Sequence, residues 1–184
     1  KNTHINTSEY LFQESLASAY QRYQAKELDL TWIPVEQIPH IQKNTPSVLL
    51  VVPRLTTEFY TFNVAKPPFD NEKVRKALYL TLDRPLIAEH IIGLRKPAAT
   101  LTPPEVDGFN APNIVELSQP LTERVEQAKK LLNDAGYNEK HPLQFEIFYN
   151  KYATHEKVAL ALASEWKKQL GADVKLRTME WKTY

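Results

Sequence analysis

Apolar positions along this chain change rhythm several times, and each change marks an element. Between residues 14 and 26, Leu16, Ala17, Tyr20 and Tyr23 form a stripe of helical spacing, flanked by Ala19. Leu28, Leu30 and Trp32 then alternate as a short strand that Pro34 ends. Residues 35–45 read as a short helix interrupted by Pro39, with Thr45-Pro46 as its boundary. Residues 47–52, SVLLVV, make a continuous apolar run of the length of a buried strand, stopped by Pro53. The chain is organised around residues 56–84. At 59–64, Tyr60, Phe62 and Val64 point one way, while Phe59, Thr61 and Asn63 point the other. Period two with aromatic and β-branched residues predicts a strand. Its Tyr/Phe/Val face suits a core, and its mixed Phe/Thr/Asn face suits a ligand-facing surface.

Lys66-Pro67-Pro68 stops that strand, because proline donates no ladder hydrogen bond. Asp70 or Asn71 caps a helix carrying Val74, Ala77, Leu78 and Thr81 on one face. Asp83 is placed to cap a second helix at about 85–92, with Asp83-Arg84 reading as a cap and a structural ion pair. Residues 93–120 carry five prolines (97, 103, 104, 112, 120) and form a long loop, functional or laid over a surface. Thr122 begins a helix with Val125, Ala128, Leu131, Leu132 and Ala135 inward, closed by Gly136. Leu143, Phe145, Ile147 and Tyr149 alternate as a strand. Thr154 caps a helix over 155–170, burying Val158, Ala159, Leu162, Ala163, Trp166 and Leu170, and Gly171 ends it. Val174, Leu176 and Thr178 form a last strand, and 181–184 open another helix. This order predicts an α/β fold, a mixed sheet with flanking helices.

Composition narrows the chemistry. The 184 residues are 42% hydrophobic, enough for a sizeable core. The net charge is +1, from 23 basic and 22 acidic side chains with interleaved signs, which offers no nucleic-acid footprint. No apolar run reaches the ~18 residues of a membrane span. The start, KNTHINTSEY, lacks the form of a signal peptide, and the chain reads as a fragment of a longer protein. There is no cysteine. Four glycines leave no place for a phosphate-cradling loop, and the serines sit in no G-x-S-x-G. Histidines 4, 40, 90, 141 and 155 have no metal-ligand spacing. Neither an enzyme nor a bound cofactor is expected.

An aromatic strand, then N-x-x-K-P-P-F-[DN], V-R-x-A-L and D-R before a second helix resembles the family-5 extracellular solute-binding proteins of ABC importers, above all the oligopeptide branch. The likeness continues through Pro97-Ala98, Thr102-Pro103-Pro104, the A-K-K-L-L-x-x-A-G-Y of 128–137 and Glu180-Trp181-Lys182. Residues 22–29 match R-Y-x-x-G-E-[IL]-D, with Lys26 where the family has glycine. The resemblance implies one lobe of a two-lobed, type II periplasmic-binding-protein-like fold. Residues 1–53 would be the end of the first lobe and the crossover, and 54–184 the second, ligand-binding lobe, incomplete at its C-terminus. It further implies a monomeric substrate-binding component that captures an oligopeptide between its lobes. That component would deliver it to the membrane permease, in the periplasm or lipid-anchored at the outer face of the cell membrane. Other solutes on the same fold (dipeptide, haem, nickel, murein peptide) and the effector-sensing domain of a regulator remain alternatives.

Matched motif by motif, Phe59, Thr61, Asn150, His155 and Trp181 fall on ligand-facing positions of the family. Departures accompany them. The aromatic hydroxyl common at position 59 is absent, the acid common at 61 is threonine, and a lysine near Ile92 has Lys96 as its nearest substitute. The arginine and aspartate that grip peptide termini would fall after residue 184. A cation in a helix's first turn is disfavoured by roughly 0.3–1 kcal/mol, and an anion such as a peptide carboxylate would reverse that for His155.

Overall fold

The computed structural model describes residues 4–52 and 54–183 and divides into two units, Lys1–Val51 and Val52–Tyr184. Residues 1–3, Pro53 and Tyr184 lie outside the described residues, and with them part of the polar start, the proline stop and the end of the last helix.

In the first unit, α1 (Leu16–Gln24) opens at Ser15, whose side chain accepts a hydrogen bond from the Ser18 amide at 3.3 Å. It leaves through Lys26 at φ 63, with the Glu27 amide donating back to the Arg22 carbonyl at 2.9 Å. The Arg22 guanidinium and the Glu27 carboxylate pair across this turn at 2.8 Å. The buried line of α1 runs through Ala19, whereas Ala17 is exposed, a shift of the expected stripe. A 3₁₀ turn (Val35–Gln37) leads into α2 (Ile38–Asn44). Pro39 lies in the first turn of α2, so it opens the helix instead of interrupting it; a missing N–H costs nothing there.

Three expected strands are absent among the described residues. Residues 28–32 are irregular, with Trp32 74% exposed. Residues 47–52 are not a buried strand: after the 3₁₀ turn Pro46–Val48 the backbone runs free, and Leu50, Val51 and Val52 are exposed. Residues 59–64 form no strand either, and Phe59, Tyr60 and Val64 are all exposed whatever their parity. Only Phe62 turns inward, its ring 5.0 Å from that of Phe69. The reason is common to all three. A strand's backbone groups are satisfied only by a neighbour, and the described sheet has two strands, both later in the chain.

From Asn63 onward the chain is tightly tied. Turns link Lys66 to Asn63 and Phe69 to Lys66, and Arg75 Nη1 donates to the Phe69 carbonyl at 2.7 Å. Helix α3 (Glu72–Leu80) is capped by Asn71, whose side chain accepts from the Lys73 amide at 2.9 Å. It buries Val74, Ala77, Leu78 and Leu80. A helix end leaves four carbonyls without intrahelical partners, and here every one has a side-chain donor. Thr81 Oγ1 donates to the carbonyls of Ala77 and Leu78 at 3.2 Å, and Trp166 Nε1 also reaches Leu78 at 3.1 Å. Arg84 Nη2 donates to Tyr79 at 3.1 Å and Arg124 Nη1 to Leu80 at 2.6 Å.

Asp83 caps the following helix by accepting from the Leu86 amide at 3.1 Å, and that helix, Leu86–Ile92, is π-helical. The expected Asp83–Arg84 ion pair does not form. Arg84 instead lies over the Tyr79 ring, 4.2 Å from its centre, with Nη1 buried and without an acceptor. Burial pushes its pKa down, Tyr79 opposes the shift and Arg124 adds to it; a guanidinium stays charged regardless. Residues 93–120 are a loop with one 3₁₀ turn, Val115–Ser118. Tyr79 Oη and Lys76 fasten it to α3 through the Ala99 carbonyl and Glu116.

Helix α4 (Leu121–Asp134) starts one residue before Thr122 and buries Arg124, Val125, Ala128 and Leu132. Strand β1 (Gln144–Asn150), helix α5 (Ala153–Leu170) and strand β2 (Asp173–Met179) follow as a βαβ unit, the strands parallel and in register from Gln144↔Asp173 to Asn150↔Met179. The N-cap of α5 is Tyr152, not Thr154, and it supplies no side-chain bond. Gly171 ends α5 at φ 68. Phe145, Ile147 and Tyr149 of β1 pack with α3, α4 and α5 into one core. The alternate residues Gln144, Glu146, Phe148 and Asn150 look the other way, onto a face that no described element covers fully.

Candidate functional site

The carboxyl ends of β1 and β2 gather the polar residues of interest. Parallel strands expose their last residues and the start of the crossover helix at one edge, where open α/β sheets bind ligands. Asn150 ends β1, and its register partner Met179 ends β2, with the Lys151 amide donating to the Met179 carbonyl at 3.0 Å. His155 sits in the first turn of α5, five residues after Asn150, and its Nδ1 hydrogen-bonds the Asn150 Oδ1. The Tyr152 ring meets the imidazole edge-to-face, 5.1 Å between centres at 66°. Trp181 follows β2 on a 3₁₀ turn, Trp181–Thr183, two residues beyond the Asn150 partner. It is 72% exposed.

Asn150 and His155 are thus in direct contact, and the register puts Trp181 at the same end of the sheet. Among the described residues no hydrogen bond or ring contact joins Phe59 or Thr61 to Asn150 or His155. Their segment is anchored by Phe62, through Phe69, on Phe145 at the opposite end of β1 (ring centres 5.0 and 5.2 Å apart). Asn150 lies five residue steps further along the strand, about 16 Å. Phe59 is 61% exposed and Thr61 is exposed. Tyr152 is the member that the sequence reading overlooked. No spacing rule would have found it, because Tyr152 is the extended N-cap and meets His155 from outside the helix.

The charged groups at this edge and the substitute for the family lysine are weakly placed for chemistry. Lys151 and Glu180 pair at 3.9 Å, both more than 70% exposed. Lys96, the substitute for the family lysine, donates to Glu105 at 2.9 Å. That bond lowers the Glu105 carboxyl pKa below its ordinary value. Among the described residues no group of three or more His, Cys, Asp or Glu could hold a metal ion, and no helix is long and apolar enough to cross a membrane.

Comparison with known proteins gives this edge a context. The family model for bacterial extracellular solute-binding proteins, family 5 (middle), matches residues 1–184. The chain is 58% identical over its whole length to the probable deoxycholate-binding periplasmic protein YgiS of Escherichia coli K12, of which it covers 34%. Among solved structures, the E. coli murein tripeptide binding protein MppA superposes with a TM-score of 0.84 at 39% identity, over 91% of this chain and 33% of that one. Haemophilus influenzae OppA, in complex with RPPGFSPFR, gives 0.81 at 38% identity, over 92% and 34%. The chain therefore spans about a third of the length of the relatives it matches. Its helices and strands are a partial piece of the two-lobed periplasmic-binding-protein fold. The chain belongs to the bacterial extracellular solute-binding proteins of family 5.

Proposed function

We propose that this chain is the middle part of the substrate-binding component of an ABC peptide importer. Residues 1–53 belong to the end of its first lobe and the crossover, and residues 54–184 to its ligand-binding lobe. The whole protein captures an oligopeptide in a cleft, closes by a hinge movement and presents the closed form to the membrane permease. It acts as a monomer in the periplasm, free or lipid-anchored, and carries out no catalysis.

One observation carries the reading: Asn150 and His155 join at the carboxyl edge of a parallel strand pair, with Trp181 on the next connection. The start of α5 adds to it. No side chain caps that helix, so its first amides are available to an anion beside the imidazole. The half-covered, two-stranded sheet supports membership of a larger assembly, since parallel strands are normally covered on both faces. Phe59 and Thr61 complete the ligand wall in the whole protein.

A second reading has its own support. The relative at 58% identity is named a probable deoxycholate-binding protein. Phenylalanine at 59 and threonine at 61 also make the proposed wall less polar than the family pattern, as a steroid carboxylate would need. Calorimetry of the full-length protein with tri- to pentapeptides, and separately with deoxycholate, decides between them. Peptide heat is expected, and His155→Ala should weaken binding by about 10- to 100-fold, the worth of a charge-assisted hydrogen bond. Absence of heat with every peptide overturns the peptide assignment, and heat with deoxycholate alone replaces it with the second reading.

A further inference from the structure

We infer that Asn150 is a positioning residue: its carboxamide oxygen holds His155 as the Nδ1–H tautomer and leaves Nε2 as the atom offered to a ligand. The inference rests on the reading above, in which His155 meets the ligand. A carboxamide oxygen only accepts hydrogen bonds, so the Nδ1 that faces Asn150 Oδ1 carries a proton in the neutral and in the charged imidazole alike.

The geometry that enforces this is built on rigid elements. Asn150 is the last residue of β1 and is paired in register with Met179, and the next amide, of Lys151, bonds the Met179 carbonyl. The backbone that carries this side chain is therefore fixed by the sheet. His155 is fixed by the first turn of α5 and by the edge of the Tyr152 ring. The two residues approach because a short connection joins strand end to helix start, and neither needs a mobile loop to meet the other.

The consequence is a choice of ligand chemistry. With Nδ1 occupied, Nε2 of the neutral ring accepts from a ligand amide or hydroxyl. After the ring takes up one proton, the same atom donates to a ligand carboxylate. In the other tautomer neutral Nε2 would donate, and a ligand N–H placed there would meet a proton. Asn150 thus acts on the ligand through His155, without touching it.

The test uses the full-length protein labelled with ¹⁵N-histidine, free of ligand, and long-range ¹H–¹⁵N correlations; the His155 signals are those lost in His155→Gln. In the neutral ring of the wild type, Nδ1 should be protonated and Nε2 bare. Asn150→Ala should move the proton to Nε2, and Asn150→Asp, which keeps an acceptor oxygen, should keep Nδ1 protonated. With trialanine as probe, Asn150→Ala should weaken binding by at least about five-fold in the wild-type background. On a His155→Ala background the same change should have no further effect. A wild-type ring with Nε2 protonated and Nδ1 bare, an unmoved proton in Asn150→Ala, or an undiminished loss on the His155→Ala background overturns the assignment. If trialanine gives no heat with wild type, the peptide reading is what fails, and the tautomer of the free protein still decides the role of Asn150.

Discussion

At Lys26 the backbone stands in the left-handed region, φ 63, at the position where the family pattern has glycine. A side chain there costs roughly 1–2 kcal/mol in Cβ–carbonyl crowding, part of which glycine's greater freedom in the unfolded chain offsets. Lys26→Gly is therefore expected to stabilise the first unit by about 1 kcal/mol, read as a higher urea midpoint. Arg124 makes the opposite case. It is 8% exposed, and it donates to the carbonyls of Leu80 and Leu82 through Nη1 and of Gln119 through Nε. Among the described residues no carboxylate bonds it, so its charge is held by carbonyl dipoles, one of them at the negative end of α3. Arg124→Ala should cost about 2–4 kcal/mol, leaving three carbonyls to find water. Arg124→Lys should recover little, because one ammonium cannot span three acceptors set at an Arg fork. A urea midpoint unchanged in Arg124→Ala would contradict this account. Neither effect is visible from spacing alone. Arg124 reads as the polar side of an amphipathic helix, and Lys26 as an ordinary surface lysine.

Helices and strands were not equally legible, and the difference is physical. Every helix of the second unit except the π-helical one follows its apolar spacing closely: α3 through Val74, Ala77 and Leu78, α4 through Val125, Ala128 and Leu132, α5 through Val158, Ala159, Leu162 and Trp166. A helix satisfies its own backbone, so a local pattern suffices. A strand takes its partners from elsewhere, and alternation cannot reveal whether they are present. Phe145, Ile147 and Tyr149 alternate and have β2 alongside; Tyr60, Phe62 and Val64 alternate and have none among the described residues. Caps inferred from residue type held at Asn71 and Asp83 and slipped at Thr154. Thr154 has the right chemistry, yet Tyr152 holds the extended backbone at φ −146 and is the true first position. That two-residue shift moves His155 from the first to the third position of α5, still in its first turn, where the Asn150 oxygen faces the ring. The contact itself was beyond reach of the sequence, since it depends on how a strand end and a helix start are aimed. Both residues were singled out by resemblance to the family, not by any spacing rule.

On the scale of the molecule, firmness is unevenly distributed along the chain. Residues 54–59 take part in no hydrogen bond among the described residues, while the backbone from Asn63 onward is bonded through successive turns into α3. Proteases cut where backbone is exposed and free to extend. Brief chymotrypsin treatment of this chain is expected to cleave early after Tyr10 or Phe12 and after Leu55, Phe59 or Tyr60, all exposed, leaving a resistant piece that starts near Ala65. Initial cleavage inside α4 or α5 would show that the second unit is not the firm one. In the proposed importer component this same stretch lines the ligand wall, so its protection on adding peptide would report capture directly.

The closed end of α3 also sets how that unit comes apart. Its final carbonyls are claimed by Thr81, by Arg84 beyond it, by Arg124 of α4 and by Trp166 of α5, so three parts of the chain converge on one helical turn. Peeling away α4 strands the Leu80 carbonyl in the interior and peeling away α5 removes one of the two donors to Leu78, which makes piecemeal melting more costly than loss of the whole block. Heat or urea should accordingly find a single cooperative collapse there, with this turn among the last places where solvent deuterium enters.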